Sequence, residues 1–289
     1  MHFVGIDAGG TKTDFLLCDE NESILKQITL GAGNPNDIGI DACLELLSTG
    51  LDALCENSVP DAVFAGVSGG GFGENAERIR SFLKKRFPLS FVDNGSDAIN
   101  LLYCSKSNAT VGALICGTGN VIFIRKNHEL LRFGGWGHLF DSGGSAYDFG
   151  KMAIAHLLSC EENNHASLST PLCTYVHDKL NSTAHEALNS IYAKGKTYIA
   201  SFAPLVFEAF LQDDIEAKAI IDYNVDVVAD KLNLLNSSIG PLDEVICAGG
   251  LFNSSLFYNL LSKKVKTPLS LLTVPPALGA CRRAMALIG

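Results

Sequence analysis

Three glycine turns in this chain combine bare backbone with polar or acidic neighbours, and such turns can do phosphate chemistry. In Asp7-Ala8-Gly9-Gly10-Thr11-Lys12-Thr13-Asp14 an apolar run ends on a carboxylate and two glycines turn the chain with nothing projecting from Cβ. Backbone N–H groups can then approach phosphate oxygens closely. Thr11, Lys12 and Thr13 add hydroxyl and ammonium donors. Asp7 is placed to hold a hydrated Mg²⁺, an ion that keeps several waters and takes few protein ligands. Taken alone, a Gly-Gly turn is more often a plain hairpin. The segment Cys116-Gly117-Thr118-Gly119-Asn120 repeats the form, and Ala248-Gly249-Gly250 ends an apolar run and opens a helix at Asn253, where an adenosine can lie against bare backbone.

The elements that must position these turns recur in a fixed order. Phe3 to Asp7, Asp14 to Asp19 and Ile24 to Leu30 read as a strand meander. Asp37 to Cys55 then reads as one amphipathic helix, Ala62 to Val67 as a buried strand, Asn75 to Phe87 as a helix and Ser90 to Val92 as a short strand. Strand, helix, strand, helix implies parallel pairing. Val111 to Cys116, Val121 to Arg125 and Leu130 to Phe133 form a second meander. Helices fill Ser145 to Glu162 and most of 172 to 236, followed by a strand at Glu244 to Ala248, a helix at Ser255 to Val265 and a strand at Leu269 to Val274. The inference of two related halves rests on this element order.

Composition limits the partners. A chain of 289 residues, 47% hydrophobic and 18% charged, exceeds what one core usually organises and is expected to fold throughout as two domains. A formal charge of −9 with no basic cluster beyond Lys84-Lys85-Arg86 and Lys263-Lys264 argues against nucleic-acid binding. No leader pattern and no apolar run of membrane-spanning length is present, so a cytoplasmic protein that binds no membrane is expected. Nine cysteines (18, 43, 55, 104, 116, 160, 173, 247 and 281) lack any CxxC pair and read as reduced, mostly buried thiols. His156, Cys160, His165, Cys173 and His177 match no zinc spacing, and no structural metal is assigned to them.

With this order in hand, segments 7–14, 116–120 and 247–254 resemble the two phosphate motifs and the adenosine motif of the sugar kinase, heat-shock ATPase and actin superfamily. Gly134-Gly135-Trp136-Gly137-His138, followed by Gly144-Ser145-Ala146-Tyr147, resembles the N-acetylglucosamine kinases and the BadF/BadG-type ATPases, a group that also holds activators of acyl-CoA dehydratases. The resemblance implies an α/β fold of two ribonuclease-H-like (actin-like ATPase) domains with mixed sheets facing a central cleft. It places the domains at 1–103 plus 276–289 and at 104–275. It implies an ATP-dependent phosphotransferase acting on N-acetylglucosamine or a related amino sugar, with ATP and Mg²⁺ as cofactors, and a homodimer.

Residue by residue, the resemblance makes Asp97 the base that takes the proton of the attacking sugar hydroxyl. Phosphoryl transfer needs mainly alignment, charge neutralisation and one such group. Without the resemblance, Asp97 reads equally well as a first-turn acid stabilising its helix dipole; Asp93 is the fallback base. Gly9, Gly10, Thr11, Lys12, Thr13, Gly117, Thr118, Gly119, Gly249 and Gly250 are the nucleotide contacts, with Asp7 on the metal. Asn34, Ser68, Gly69, Asp97, Gly135, Trp136, Gly137 and Asp141 are the sugar contacts, Trp136 as a flat apolar wall. Where relatives read Gly-Asp-Glu-Gly-Ser, this chain reads Asp141-Ser142-Gly143-Gly144-Ser145, so an acidic pair is lost and substrate choice is open. Two rival readings remain: a non-catalytic sugar sensor and a dehydratase-activating ATPase, the latter needing cysteines that bridge a dimer around an iron–sulfur cluster.

Overall fold

The computed structural model describes all residues except 57, 72, 108, 128 and 164–168. The chain divides into two compact units, residues 1–108 with 272–289 and residues 109–271. The fold is α/β, and each unit is built on one mixed five-stranded sheet.

In the first unit, strands β1 (His2–Ala8), β2 (Thr13–Asp19), β3 (Ile24–Leu30), β4 (Ala62–Val67) and β5 (Phe91–Gly95) line up in the order β3-β2-β1-β4-β5. The first three pair antiparallel, while β4 and β5 add in parallel. The central β4 is apolar and buried along its length and β1 is so from Phe3 to Ile6, whereas the edge strand β3 alternates, as strand position dictates. Val4, Ile6 and Ala8 enter a core with helices α2 (Ile40–Cys55) and α3 (Gly73–Arg86). On the opposite face Phe3, Leu16 and Phe64 pack on α11 (Pro276–Met285). Gly5 permits that docking, because a Cβ there would sit 2.2 Å from the Ala277 carbonyl oxygen. Arg282 fastens α11 through a two-pronged pair with Glu22, at 2.8 Å on each arm, the fork geometry that suits a carboxylate.

The helix expected over Asp37 to Cys55 is two: α1 (Pro35–Ile38) and α2 part at Gly39, where φ is 83°. A six-residue helix α4 (Asp97–Leu102) follows β5, capped by Ser96.

The second unit repeats the topology. Strands β6 (Val111–Cys116), β7 (Asn120–Lys126), β8 (Glu129–Gly134), β9 (Glu244–Ala248) and β10 (Leu269–Leu271) take the order β10-β9-β6-β7-β8, again an antiparallel meander with two parallel additions. β10 is shorter than the run to Val274 had implied. Helices α5 (Ala146–Glu162), α6 (Pro171–Leu180), α7 (Ala184–Ala200), α8 (Ala203–Phe210), α9 (Ile215–Ser238) and α10 (Ser255–Lys264) supply the other core layer, with Phe149, Phe202 and Phe257 fully buried. Among the described residues, no helix is long and apolar enough to cross a membrane.

Candidate functional site

In the first unit, chemistry gathers at the C-terminal ends of β1, β4 and β5. Asn100 is fully buried and donates from Nδ2 to Asp7 Oδ1 at 2.6 Å and to the Ile6 carbonyl at 3.2 Å. Asp97, three residues earlier on the same helix, faces the same way by helical periodicity, and its charge acts on Asp7. Burial lifts the Asp7 carboxyl from 3.8 to about 6; the Asn100 bond opposes that rise, and the charges of Asp97 and Asp14 add to it. Asp7 is therefore a half-buried carboxyl crowded by two others, a donor set of hard oxygens that a divalent cation would relieve. Mg²⁺ fits it.

The turn after β1 is closed by Gly9 N–H donating to the Lys12 carbonyl at 2.9 Å. Gly10, Thr11 and Lys12 are exposed. The Lys12 side chain is 65% exposed and pairs with Asp14 at 2.6 Å. Thr13 is fully buried, and its hydroxyl donates to the Gly31 carbonyl at 3.0 Å. Asp93 lies between Arg80 at 2.6 Å and Arg283 at 3.2 Å, so its carboxylate already has two cationic partners. Asn34 caps α1, accepting from Asn36 N–H at 3.0 Å and donating to Asp37 at 2.8 Å. Gly69 stands beside it, and Asn75 donates to both Asn36 and the Gly69 carbonyl at 3.3 Å. Ser68 N–H donates to the Ala8 carbonyl at 2.8 Å, tying this cluster to the end of β1.

In the second unit, a cavity of about 710 Å³ opens where β6 and β9 end, lined by Gly117, Thr118, Ala146, Gly250 and Asn253 together with Thr197, Pro204, Phe207 and Glu208. Its size matches a nucleoside-sized ligand, and its mostly apolar wall suits a planar base. Two of the three glycine turns thus come together. Gly249 makes that possible: its φ is 101°, and a Cβ would lie 2.4 Å from the Cys116 carbonyl oxygen, so the third turn can close on the second only without a side chain. The helix expected to open at Asn253 is preceded by a 3₁₀ turn, Gly250–Asn253, and α10 starts at Ser255. Gly119 is not part of the cavity wall; its carbonyl accepts from Gly117 N–H at 2.9 Å.

The cavity residues on α7 and α8 had no glycine signature. The available signals were Gly195, which breaks α7 with φ 70° and ψ −166°, and Pro204 at the start of α8.

The Gly135-Trp136-Gly137 loop forms a separate part of this unit. Trp136 is 62% exposed, with the Arg132 guanidinium 5.0 Å above its ring. Asp141 turns back onto its own loop, accepting from Gly137 N–H at 3.0 Å. The run that replaces the acidic pair is held from below: Asn120 donates to the Gly143 carbonyl, and Gly144 N–H donates to Asn224 Oδ1 at 2.8 Å. Both asparagines are buried. Asn224 sits on a helical stripe of mostly apolar residues, which hid it as a loop anchor.

All nine cysteines are thiols, and all but Cys104 are buried. Burial drives the Cys247 thiol up to about 12 and Cys116 higher still. Of the scattered His/Cys set, His156, Cys160 and Cys173 come together, whereas His177 neighbours Asp178 at 3.8 Å; His165 lies outside the described residues.

A protein-family model, the BadF/BadG/BcrA/BcrD ATPase family, matches residues 4–280. The chain is 27% identical to an N-acetyl-D-glucosamine kinase of Dictyostelium discoideum over 98% of its length and 97% of the relative's. It is also 27% identical to an N-acetylmuramic acid/N-acetylglucosamine kinase of Clostridium acetobutylicum, over 92% of each chain. Among solved structures, a candidate N-acetylglucosamine kinase from Chromobacterium violaceum superposes with a TM-score of 0.72 at 20% identity, covering 100% of this chain and 99% of the other, which establishes the shared fold. With the family model spanning nearly the whole sequence and the repeated meander beneath it, the chain belongs to the BadF/BadG/BcrA/BcrD ATPase family.

Proposed function

We propose that this protein is an ATP-dependent kinase of N-acetylglucosamine or a related amino sugar, with Asp97 as general base. The observation that carries the reading is the group of three carboxyls at the strand ends of the first unit: Asp7 is made hard to ionise by burial and by the charges of Asp97 and Asp14, and among the described residues Asp97 makes no salt bridge of the kind that holds Asp93. Two curated relatives of nearly equal length are kinases of N-acetylated amino sugars, which supports the substrate class. Bound Mg²⁺, held by Asp7, would neutralise charge on the transferring phosphoryl group. The adenosine part of ATP fills the cavity lined by Thr118, Phe207 and Gly250. Backbone N–H groups of the exposed Gly10-Thr11 turn hold phosphate oxygens. In the first unit Asn34 and Gly69 hold the sugar and Asp97 takes the proton of its attacking hydroxyl; in the second, the exposed Trp136 face suits a sugar ring.

The rival readings differ in what they require. A dehydratase activator needs cysteines at a surface that can bridge a dimer, and eight of the nine are buried. A sensor needs sugar binding without turnover.

ADP release measured with N-acetylglucosamine, glucosamine, N-acetylmannosamine, N-acetylmuramate and glucose tests the proposal. At least one N-acetylated sugar should raise ADP release far above the sugar-free rate. Background rates with every sugar, while calorimetry still detects one binding, would make the protein a sensor. A brown preparation with iron–sulfur absorption would make it an activator.

A further inference from the structure

A second cluster of chemically able side chains lies in the helical layer of the second unit, away from the glycine turns. His156 and Cys160 are four residues apart on α5, which stacks them on one face of the helix, and Cys173 on α6 faces them. Their ligating atoms all lie within 4.8 Å of one another, with Cys160 Sγ 3.5 Å from His156 Nε2. Zinc–sulfur and zinc–nitrogen bonds of about 2.3 and 2.0 Å at a tetrahedral angle require S···N and S···S separations of roughly 3.5 to 3.8 Å. The cluster falls within reach of that geometry with small side-chain adjustments. We propose that His156, Cys160 and Cys173 form a zinc site that ties α5 to α6.

Three further features support the assignment. Cys160 and Cys173 are buried, where an uncompensated charge is costly. Two thiolates around one Zn²⁺ make a neutral unit, which removes that penalty: two S–H bonds break, two Zn–S bonds form, and two protons leave to solvent. The remaining imidazole nitrogen, His156 Nδ1, lies 3.8 Å from Glu216 Oε1, the carboxylate position that commonly orients a metal-bound histidine. Finally, the His156 side chain is 19% exposed and borders a cavity of about 320 Å³ shared with Asp214 and Glu216, which provides an entry path and room for a water as fourth ligand. Soft sulfur with imidazole selects zinc over magnesium or calcium. The sequence hid the site because its third ligand comes from the next helix, at a spacing unlike that of any zinc finger.

The test uses the whole protein purified without chelators. Elemental analysis should find about one zinc per chain. Zn²⁺ titrated into metal-free protein against a chromophoric chelator should bind one to one with release of about two protons. Cobalt substitution should give a thiolate-to-metal charge-transfer band. Because variants of the buried cysteines can misfold, His156→Ala and Glu216→Gln carry the comparison. The first should abolish stoichiometric binding, and the second should weaken it by about 10-fold or more, with circular dichroism unchanged. A metal-free wild type that takes up no Zn²⁺ at one equivalent overturns the proposal. So does binding of equal strength in wild type and His156→Ala, since the ion would then sit elsewhere.

Discussion

The two sheets share one topology and carry different chemistry. In the first, the second strand pair before the glycine turn is Asp7 opposite Asp14; the corresponding pair in the second is Ile115 opposite Val121. The first turn has four residues between its paired strand ends and an exposed ammonium. The second has three and packs Gly117 and Thr118 into the wall of an apolar cavity. One backbone plan has been filled once with carboxylates, suited to metal and proton handling, and once with apolar residues, suited to holding a base. The difference shows that the recurrent meander sets where a site can form, whereas two side chains per hairpin decide what it can do.

The sharpest way to break this comparison is at Asp97. Replacing it with Asn should cut turnover by about 10²- to 10⁴-fold, the usual worth of a positioned base, and leave nucleotide affinity near wild type; steady-state kinetics with calorimetry checks both. Asp7 comes next. Its carboxyl is raised from 3.8 to about 6, so the native state binds the proton more tightly than the unfolded chain. The stability this gives is fully present below pH 3.8 and is lost as pH rises through 6, a cost of up to roughly 3 kcal/mol at neutral pH. Asp7→Asn should therefore stabilise the metal-free protein at pH 8, flatten its melting profile between pH 4 and 7, and abolish magnesium-dependent turnover.

Neighbouring glycines of the second unit sharpen the other side. Gly249→Ala should lose about 1 to 3 kcal/mol of stability, because the backbone is left-handed and the added carbon meets the Cys116 carbonyl. Gly250→Val adds a Cβ that meets nothing within 4 Å. It should melt within a few degrees of wild type while weakening ATP about 10-fold, since its side chain enters the cavity. The smallest effect belongs to Asp93→Asn, which loosens two partly exposed arginine pairs at a cost of about 1 kcal/mol and keeps turnover within a few-fold.

Much of the frame was legible in the sequence because glycine turns and buried strands leave local marks. β3, β4, β6 and β9 fall at Ile24–Leu30, Ala62–Val67, Val111–Cys116 and Glu244–Ala248, as their apolar runs and turn residues require. The break at Gly39 was not legible, since apolar spacing continues through it and only a left-handed backbone ends α1. The cavity's second wall was missed for a related reason: Thr197, Phe207 and Glu208 belong to helices whose pattern reports their packing and not what they face. Thr13 read as a phosphate donor because its hydroxyl type fits; strand alternation turns it inward to Gly31.

The proposed function divides the labour, with Asp97 for chemistry and the Gly117–Gly250 cavity for the nucleotide. Measuring nucleotide affinity and saturated turnover for Asp97→Asn and Gly250→Val side by side tests it directly. The first should keep affinity and lose turnover, and the second should lose affinity and keep turnover at saturating ATP. If both variants lose both properties, or if Asp97→Asn turns over at the wild-type rate, the claim is contradicted.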